Sequence, residues 1–244
     1  MDAKLVIIPT YNEIENIEAI IRKVFSLEGG FHILVIDDGS PDGTAAAVKA
    51  LMAEFPARLH IIERSGKQGL GTAYLTGFKW ALERDYGFIF EMDADFSHNP
   101  QDLLKLYDAC ANGGADLAIG SRYVTGVNVV NWPMGRVLMS YFASQYVRTV
   151  LDIRIHDTTA GFVCYKRHLL ETIELDKIRF KGYAFQIEMK FTALQCGAKV
   201  KEVPIIFVNR VLGTSKMSGG IFSEALLGVV QLKLESLSRK YPKL

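Results

Sequence analysis

Acidic side chains recur in pairs along this 244-residue chain, each pair following an apolar run. Asp93 and Asp95 follow the run 88–92. Both ionised and unpaired, they would repel each other. A hard divalent cation relieves this, because Mg²⁺ or Mn²⁺ takes one or two carboxylates and completes its shell with phosphate oxygens. Helix capping is the competing use, since Pro100 marks the first turn of a following helix. Asp37 and Asp38 form a second pair at the end of the run 32–37. One carboxylate there can accept hydrogen bonds from a base or a ribose. Asp42 and Thr44, just beyond, read as turn and helix-cap residues.

Positive charge suited to phosphate lies in the second half. Arg122 follows the run 116–120, and Arg136 and Ser140 stand four apart on one helix face. Arg210 and Lys216 flank Gly213-Thr214-Ser215. Arginine can hold a phosphate through two parallel hydrogen bonds. Gly66-Lys67-Gln68-Gly69-Leu70-Gly71 has neither G-x-G-x-x-G nor G-x-x-x-x-G-K-[ST] order, so it is either a turn or a loop that brings backbone to a ligand.

The elements that must position these groups alternate. Strand patterns at 4–9, 32–37, 59–63, 88–92 and 116–120 are separated by helical patterns at 13–26, 43–55, 72–85 and 101–112. This predicts βαβ units with right-handed crossovers and a mostly parallel central sheet flanked by helices. Ligands of such sheets bind beyond the carboxyl ends of the strands, where the polar motifs collect, including Pro9-Thr10-Tyr11-Asn12-Glu13 after the first strand. Further on, helices are expected at 133–151, 184–196 and 223–239, a strand at 161–165, and an extended stretch at 199–208 interrupted by Pro204.

Composition narrows the function classes. The formal net charge of +1 points to no nucleic-acid partner. Three cysteines, far apart and without a CxxC pair, read as reduced core residues. The N-terminus lacks a basic segment followed by a long apolar one, so no signal peptide is expected. The most apolar C-terminal segment, 221–234, is shorter than a membrane span and carries Glu224 and Lys233. The absence of G-x-G-x-x-G after the first strand argues against a dinucleotide oxidoreductase. A nucleotide-sensing scaffold without turnover is a rival from another class, against which Arg122, Arg136 and Ser140 together argue.

Four motifs in combination resemble the dolichol-phosphate mannosyltransferases (polyprenol monophosphomannose synthases) of the inverting family 2 glycosyltransferases. They are Asp37 through Thr44, Asp93-Ala-Asp95-Phe-Ser-His98, Gly120-Ser-Arg-Tyr123, and Arg210 through Lys216. The likeness runs from about Val6 to Met217. It implies a GT-A (Rossmann-like) catalytic domain over 1–217, followed by an amphipathic interfacial helix in 218–244 with no transmembrane span. It implies GDP-mannose as donor and a polyprenyl or dolichyl phosphate as acceptor, giving a β-linked mannosyl phospholipid. Residue by residue, it assigns Pro9, Tyr11, Glu13, Ile36 and Asp38 to the nucleoside. Asp93, Ala94 and Asp95 go to diphosphate, metal (Mg²⁺ or Mn²⁺) and sugar, with Glu188 on the sugar side. Arg210 and Lys216 go to the donor phosphates, and Arg122, Arg136 and Ser140 to the acceptor phosphate. Two departures stand out: Ser97 replaces a glutamine that ligates metal in some relatives, and the C-terminal membrane helices of some relatives have no counterpart before Leu244.

An acceptor phosphate is already an anionic nucleophile, so the expected chemistry needs no general base and no role for His98 or His156. A lipid acceptor also suits peripheral contact with the cytoplasmic face of a membrane through the apolar residues of 221–234 and of 133–151. Packing on the core, a membrane-protein partner or a second copy of the chain would cover the same faces. The nearest rival activity is a transferase of the same fold that carries another sugar, such as glucose from UDP-glucose, to polyprenyl phosphate.

Overall fold

The computed structural model describes residues 2–182, 184–210, 212 and 221–244, with nothing said of the side chains of 221–225. The strands are β1 (Ala3–Thr10), β2 (Phe31–Asp37), β3 (Leu59–Glu63), β4 (Tyr86–Glu91), β5 (Leu117–Ser121), β6 (Val129–Val130), β7 (Val163–Lys166), β8 (Val200–Pro204) and β9 (Phe207–Val208). The helices are α1 (Ile17–Phe25), α2 (Thr44–Met52), α3 (Leu70–Leu82), α4 (Asp102–Ala111), α5 (Met134–Leu151), α6 (Arg167–Thr172), α7 (Ala184–Gln195) and α8 (Ile221–Ser236). A seven-stranded sheet runs β3-β2-β1-β4-β7-β5-β8, and β6 pairs separately with β9. Only β7 runs against its neighbours in the large sheet, pairing antiparallel with β4 and β5.

Strand alternation makes the two cores. Val6, Ile8, Ile33 and Val35 face one layer, covered by α1, α2 and α4. Leu5, Ile7, Leu34 and Ile36 face the other, covered by α3, α6 and α7. Ile17, Ile20, Ile21 and Val24 give α1 a fully buried stripe at helical spacing. Each such side chain contributes on the order of 1.5–3 kcal/mol by leaving water. A third cluster joins Val147 and Leu151 of α5, Ile187 and Phe191 of α7, and Val229 and Leu232 of α8. All three cysteines are buried and unbridged.

The expected and observed boundaries differ for local reasons. The helix expected at 13–26 begins at Ile17, because the Glu13 carbonyl accepts N–H bonds from Asn16 and Ile17 in a preceding turn. The helix expected from 72 begins at Leu70, after Gly69 with φ +103°. The stretch 199–208 splits into β8, ending at Pro204 on the sheet edge, and β9. Two-residue β6 and six-residue α6 are too short to show a period. Among the described residues no helix is long and apolar enough to cross a membrane.

Candidate active site

The loops at the carboxyl edge of the parallel strands enclose one cleft of about 800 Å³. Pro9, Tyr11, Glu13, Asp38, Asp93, Ala94, Asp95, Arg122, Arg136, Ser140 and Arg210, all singled out from the sequence, line it. Two others do not. Ile36 packs fully buried in the core beneath β2. Glu188 turns away, its Oε2 accepting the backbone N–H groups of Arg179 and Phe180 at 2.9 and 3.0 Å. Gln186, two residues earlier on α7, faces the cleft instead. Lys216 lies outside the described residues.

Local hydrogen bonds separate framework acids from those facing the cleft. Asp37 is framework: it accepts from the Thr10 hydroxyl at 2.9 Å and from the Ser40 amide and hydroxyl at 2.9 and 2.6 Å. Asp42 stands before Gly43, the N-cap of α2, and holds the turn there by accepting the Thr44 amide and hydroxyl and the Ile14 amide. The turn part of the turn-and-cap reading of Asp42 and Thr44 therefore fits the structure. Asp38 lines the cleft and pairs with Arg64 at 2.5 Å. The glycine stretch serves two ends. Lys67 and Gly69 line the cleft, whereas a Cβ on Gly71 would sit 2.7 Å from the Phe185 ring and 2.8 Å from the Phe180 carbonyl. That glycine is there for packing.

Negative charge is concentrated at one end of the cleft. Asp95 is 6% exposed, accepts the Ser97 N–H at 3.0 Å, and pairs with Arg210 at 2.6 Å. Arg210 also reaches Glu13 at 3.6 Å. The Asp93 carboxyl is pushed above the usual carboxylate range, first by burial, then by Asp95, with Arg210 opposing and Glu13 and Glu91 adding to the rise. Its side chain keeps 38% exposure, toward the cleft it lines. Among the described residues no three His, Cys, Asp or Glu side chains converge as a metal cage. Two carboxylates with a surplus of negative charge fit instead a hard cation that arrives with phosphate oxygens of its own. His98 stacks on Phe162, its Nδ1 accepts the Asp93 N–H at 3.3 Å, and burial lowers it to about 4. It is a neutral packing residue at neutral pH.

The other end is basic and then apolar. Arg122 is held by Asp157 through Nε at 2.7 Å and Nη2 at 2.6 Å, and by the Thr159 hydroxyl at 2.9 Å. Arg136 donates to Asn209 Oδ1 at 3.0 Å, and Tyr123 donates to Ser140 Oγ at 2.8 Å. Beyond them Met139, Phe142 and Tyr146 of α5 and Leu226 of α8 form an apolar wall. Gln186 is clamped between Glu91, which takes its Nε2 at 2.6 Å, and the buried Lys190, which donates to its Oε1 at 3.1 Å.

The family described as "Glycosyl transferase family 2" matches residues 5–174. The chain belongs to that family. As a family 2 glycosyltransferase it is 51% identical, over 93% of its length and 85% of the relative's, to the polyprenol monophosphomannose synthase of Mycolicibacterium smegmatis. It is 46% identical, over 93% of its length and 92% of the relative's, to the undecaprenyl-phosphate mannosyltransferase of Micrococcus luteus. Its fold is GT-A. Among solved structures it resembles glucosyl-3-phosphoglycerate synthase from Mycobacterium tuberculosis in complex with Mn²⁺, UDP and phosphoglyceric acid, with a TM-score of 0.70 and 17% identity over 97% of this chain and 79% of that one.

Cleft or supporting residues of this glycosyltransferase that were not among the sequence candidates include Arg64, Trp132, Asp157 and Gln186. The signal for Asp157 was the polar run 156–161 before β7. The Arg122–Asp157 pair is 10% and 0% exposed. Burial raises the Asp157 carboxyl, but the attraction and hydrogen bonds of Arg122 outweigh it and leave it lowered. Its contribution to stability is therefore present above about pH 4 and is lost as pH falls through the lowered value. We expect Asp157→Asn to destabilise the protein by about 3–5 kcal/mol at pH 7, because it leaves a buried guanidinium unbalanced. Melting curves from pH 7 to 3 should show the variant's profile flattened at the acid end. A melting temperature at pH 7 equal to the parent's would refute this.

Proposed function

We propose that the enzyme transfers mannose from GDP-mannose to a polyprenyl or dolichyl phosphate, giving polyprenyl phosphate β-mannose and GDP. One observation carries the reading: a single cleft has a surplus of carboxylate at one end, paired arginines in its middle and an apolar wall at the other. Those are the chemistries of a nucleoside diphosphate with its cation, a second phosphate and a lipid. The names of the two mannosyltransferase relatives support the same reading.

At the donor end, Pro9, Tyr11, Glu13 and Asp38 bound the nucleoside, with Arg64 fixing Asp38. Asp93 and Asp95 would hold Mg²⁺ or Mn²⁺, which when bound supplies positive charge to the departing diphosphate. Arg210, paired with Asp95 in this structure, would meet the donor phosphates, the role also proposed for Lys216, which lies outside the described residues. At the acceptor end, Arg122, Arg136 and Ser140 orient the lipid phosphate. One of its oxygens attacks the anomeric carbon of mannose opposite the leaving group. The new C–O bond forms as the bond to the GDP oxygen breaks, and the configuration inverts. No side chain needs to remove a proton, since the nucleophile is already an anion. The protein contributes position and charge management.

We take 1–217 as the catalytic unit and 218–244 as a segment that lies, through helix α8 (Ile221–Ser236), at the cytoplasmic face of a membrane. Supporting this, Leu227, Leu234 and Leu237 at the α8 end are 72%, 63% and 77% exposed, and Met134 and Phe142 of α5 are 70% and 62% exposed. A membrane-protein partner or a second copy of the chain would use the same faces.

GDP-mannose, a short polyprenyl phosphate and Mn²⁺ should yield a mannolipid whose formation stops on chelation. We expect Asp95→Ala to lower the rate at least about 10²-fold, the scale of losing a preorganised transition-state contact. Robust turnover by Asp95→Ala would contradict the metal assignment, and preference for UDP-glucose over GDP-mannose would favour the rival activity. For the membrane reading, Leu227→Glu, Leu234→Glu and Leu237→Glu combined should release the folded enzyme from liposomes. Undiminished sedimentation with liposomes would remove that role from α8.

A further inference from the structure

Trp132 lines the cleft beside both arginines. The centre of its ring lies 4.0 Å from the guanidinium carbon of Arg136 and 5.5 Å from that of Arg122. Phe207 meets the indole edge-on at 5.3 Å and approaches Arg122 to 5.5 Å. The chain makes this arrangement locally. Pro133 is the N-cap of α5 and its carbonyl accepts the Arg136 N–H at 2.9 Å, so Trp132, just before the cap, and Arg136, in the first turn, lie close along the chain. No hydrogen bond of the ring accounts for its place, since the indole Nε1 is buried without a partner among the described residues, an arrangement that costs free energy.

Two guanidinium groups converging on one anion repel each other. An aromatic face presents negative potential to a cation above it, and does so most strongly where water is excluded. Arg122 is already fixed through Asp157. Arg136 is held at the tip by Asn209 and along its plane by the indole. We propose that Trp132 is a positioning residue for the acceptor phosphate, stacking with both guanidiniums so that Arg122 and Arg136 present to one anion. This rests on the reading that the arginine end receives a phosphate monoester.

The test uses the full chain with Trp132→Leu, which removes the aromatic face, and Trp132→Phe, which keeps a smaller aromatic face and loses the unpartnered N–H with the rest of the five-membered ring. Steady-state kinetics with GDP-mannose and polyprenyl phosphate should show an acceptor KM raised about tenfold or more in Trp132→Leu, a loss on the scale of one or two such contacts. Donor KM should stay near the parent's, and Trp132→Phe should recover most of the acceptor affinity. Calorimetric titration with farnesyl phosphate, and separately with GDP, should reproduce that split without turnover. An unchanged acceptor KM and farnesyl phosphate affinity in Trp132→Leu would overturn the proposal. So would equal losses for GDP and farnesyl phosphate, or no recovery with Phe. A parent enzyme that binds farnesyl phosphate yet forms no mannolipid would sink the functional reading instead, and the titrations would still decide the role of Trp132.

Discussion

Like charge held together at a sheet edge is the constraint on which this structure turns. Glu13, Asp38, Asp93 and Asp95 come to one cleft because they follow β1, β2 and β4, three parallel strands that end there. Arg64 balances Asp38, and Arg210 spans Asp95 and Glu13. The raised Asp93 carboxyl marks what is left over. Acids brought this close repel one another, and Asp93, the one without an arginine partner of its own among the described pairs, faces the cleft. The surplus makes sense as half of an interaction whose other half is a cation and a diphosphate.

The opposite end of the cleft solves the reverse problem. Arg122 is buried, and its charge is tolerable because Asp157 meets it in bidentate fashion. Arg136 lies over the Trp132 ring and donates to Asn209. Beyond them the lining becomes apolar where α5 and α8 pack together, with the Tyr146 hydroxyl bonded to the Leu226 carbonyl. The transition from acid to base to grease within one cavity ties sheet topology to the proposed reaction.

Much of this was legible in the sequence, for identifiable reasons. Strand-helix alternation and polar residues after the strands place Pro9 through Glu13, Asp38, Asp93 and Asp95 at one rim, because loop position follows from strand direction in a parallel sheet. Asp157 escaped that logic because it precedes a strand. β7 runs antiparallel, so its N-terminal end lies at the rim where the other strands have their C-terminal ends. Gln186 and Glu188 differ by two positions on a helix, and only packing decides which one faces the cleft; the resemblance pointed to Glu188, whereas Gln186 lines it. Ile36 shows the same limit on a strand, where alternation sends it into the core. Arg64 and Trp132 carried no motif. Arg64 meets Asp38, 26 residues away, only in the fold; the Trp132–Arg136 contact is local, and what the fold adds to it is Arg122 and Phe207 beside the ring.

The most direct test of the carboxylate claim is electron paramagnetic resonance of Mn²⁺ titrated into the enzyme with and without GDP. The account predicts that GDP tightens Mn²⁺ binding about tenfold or more, because diphosphate oxygens complete the ion's shell, and that Asp95→Asn removes the bound signal. Equal Mn²⁺ binding by parent and Asp95→Asn in the presence of GDP would contradict it.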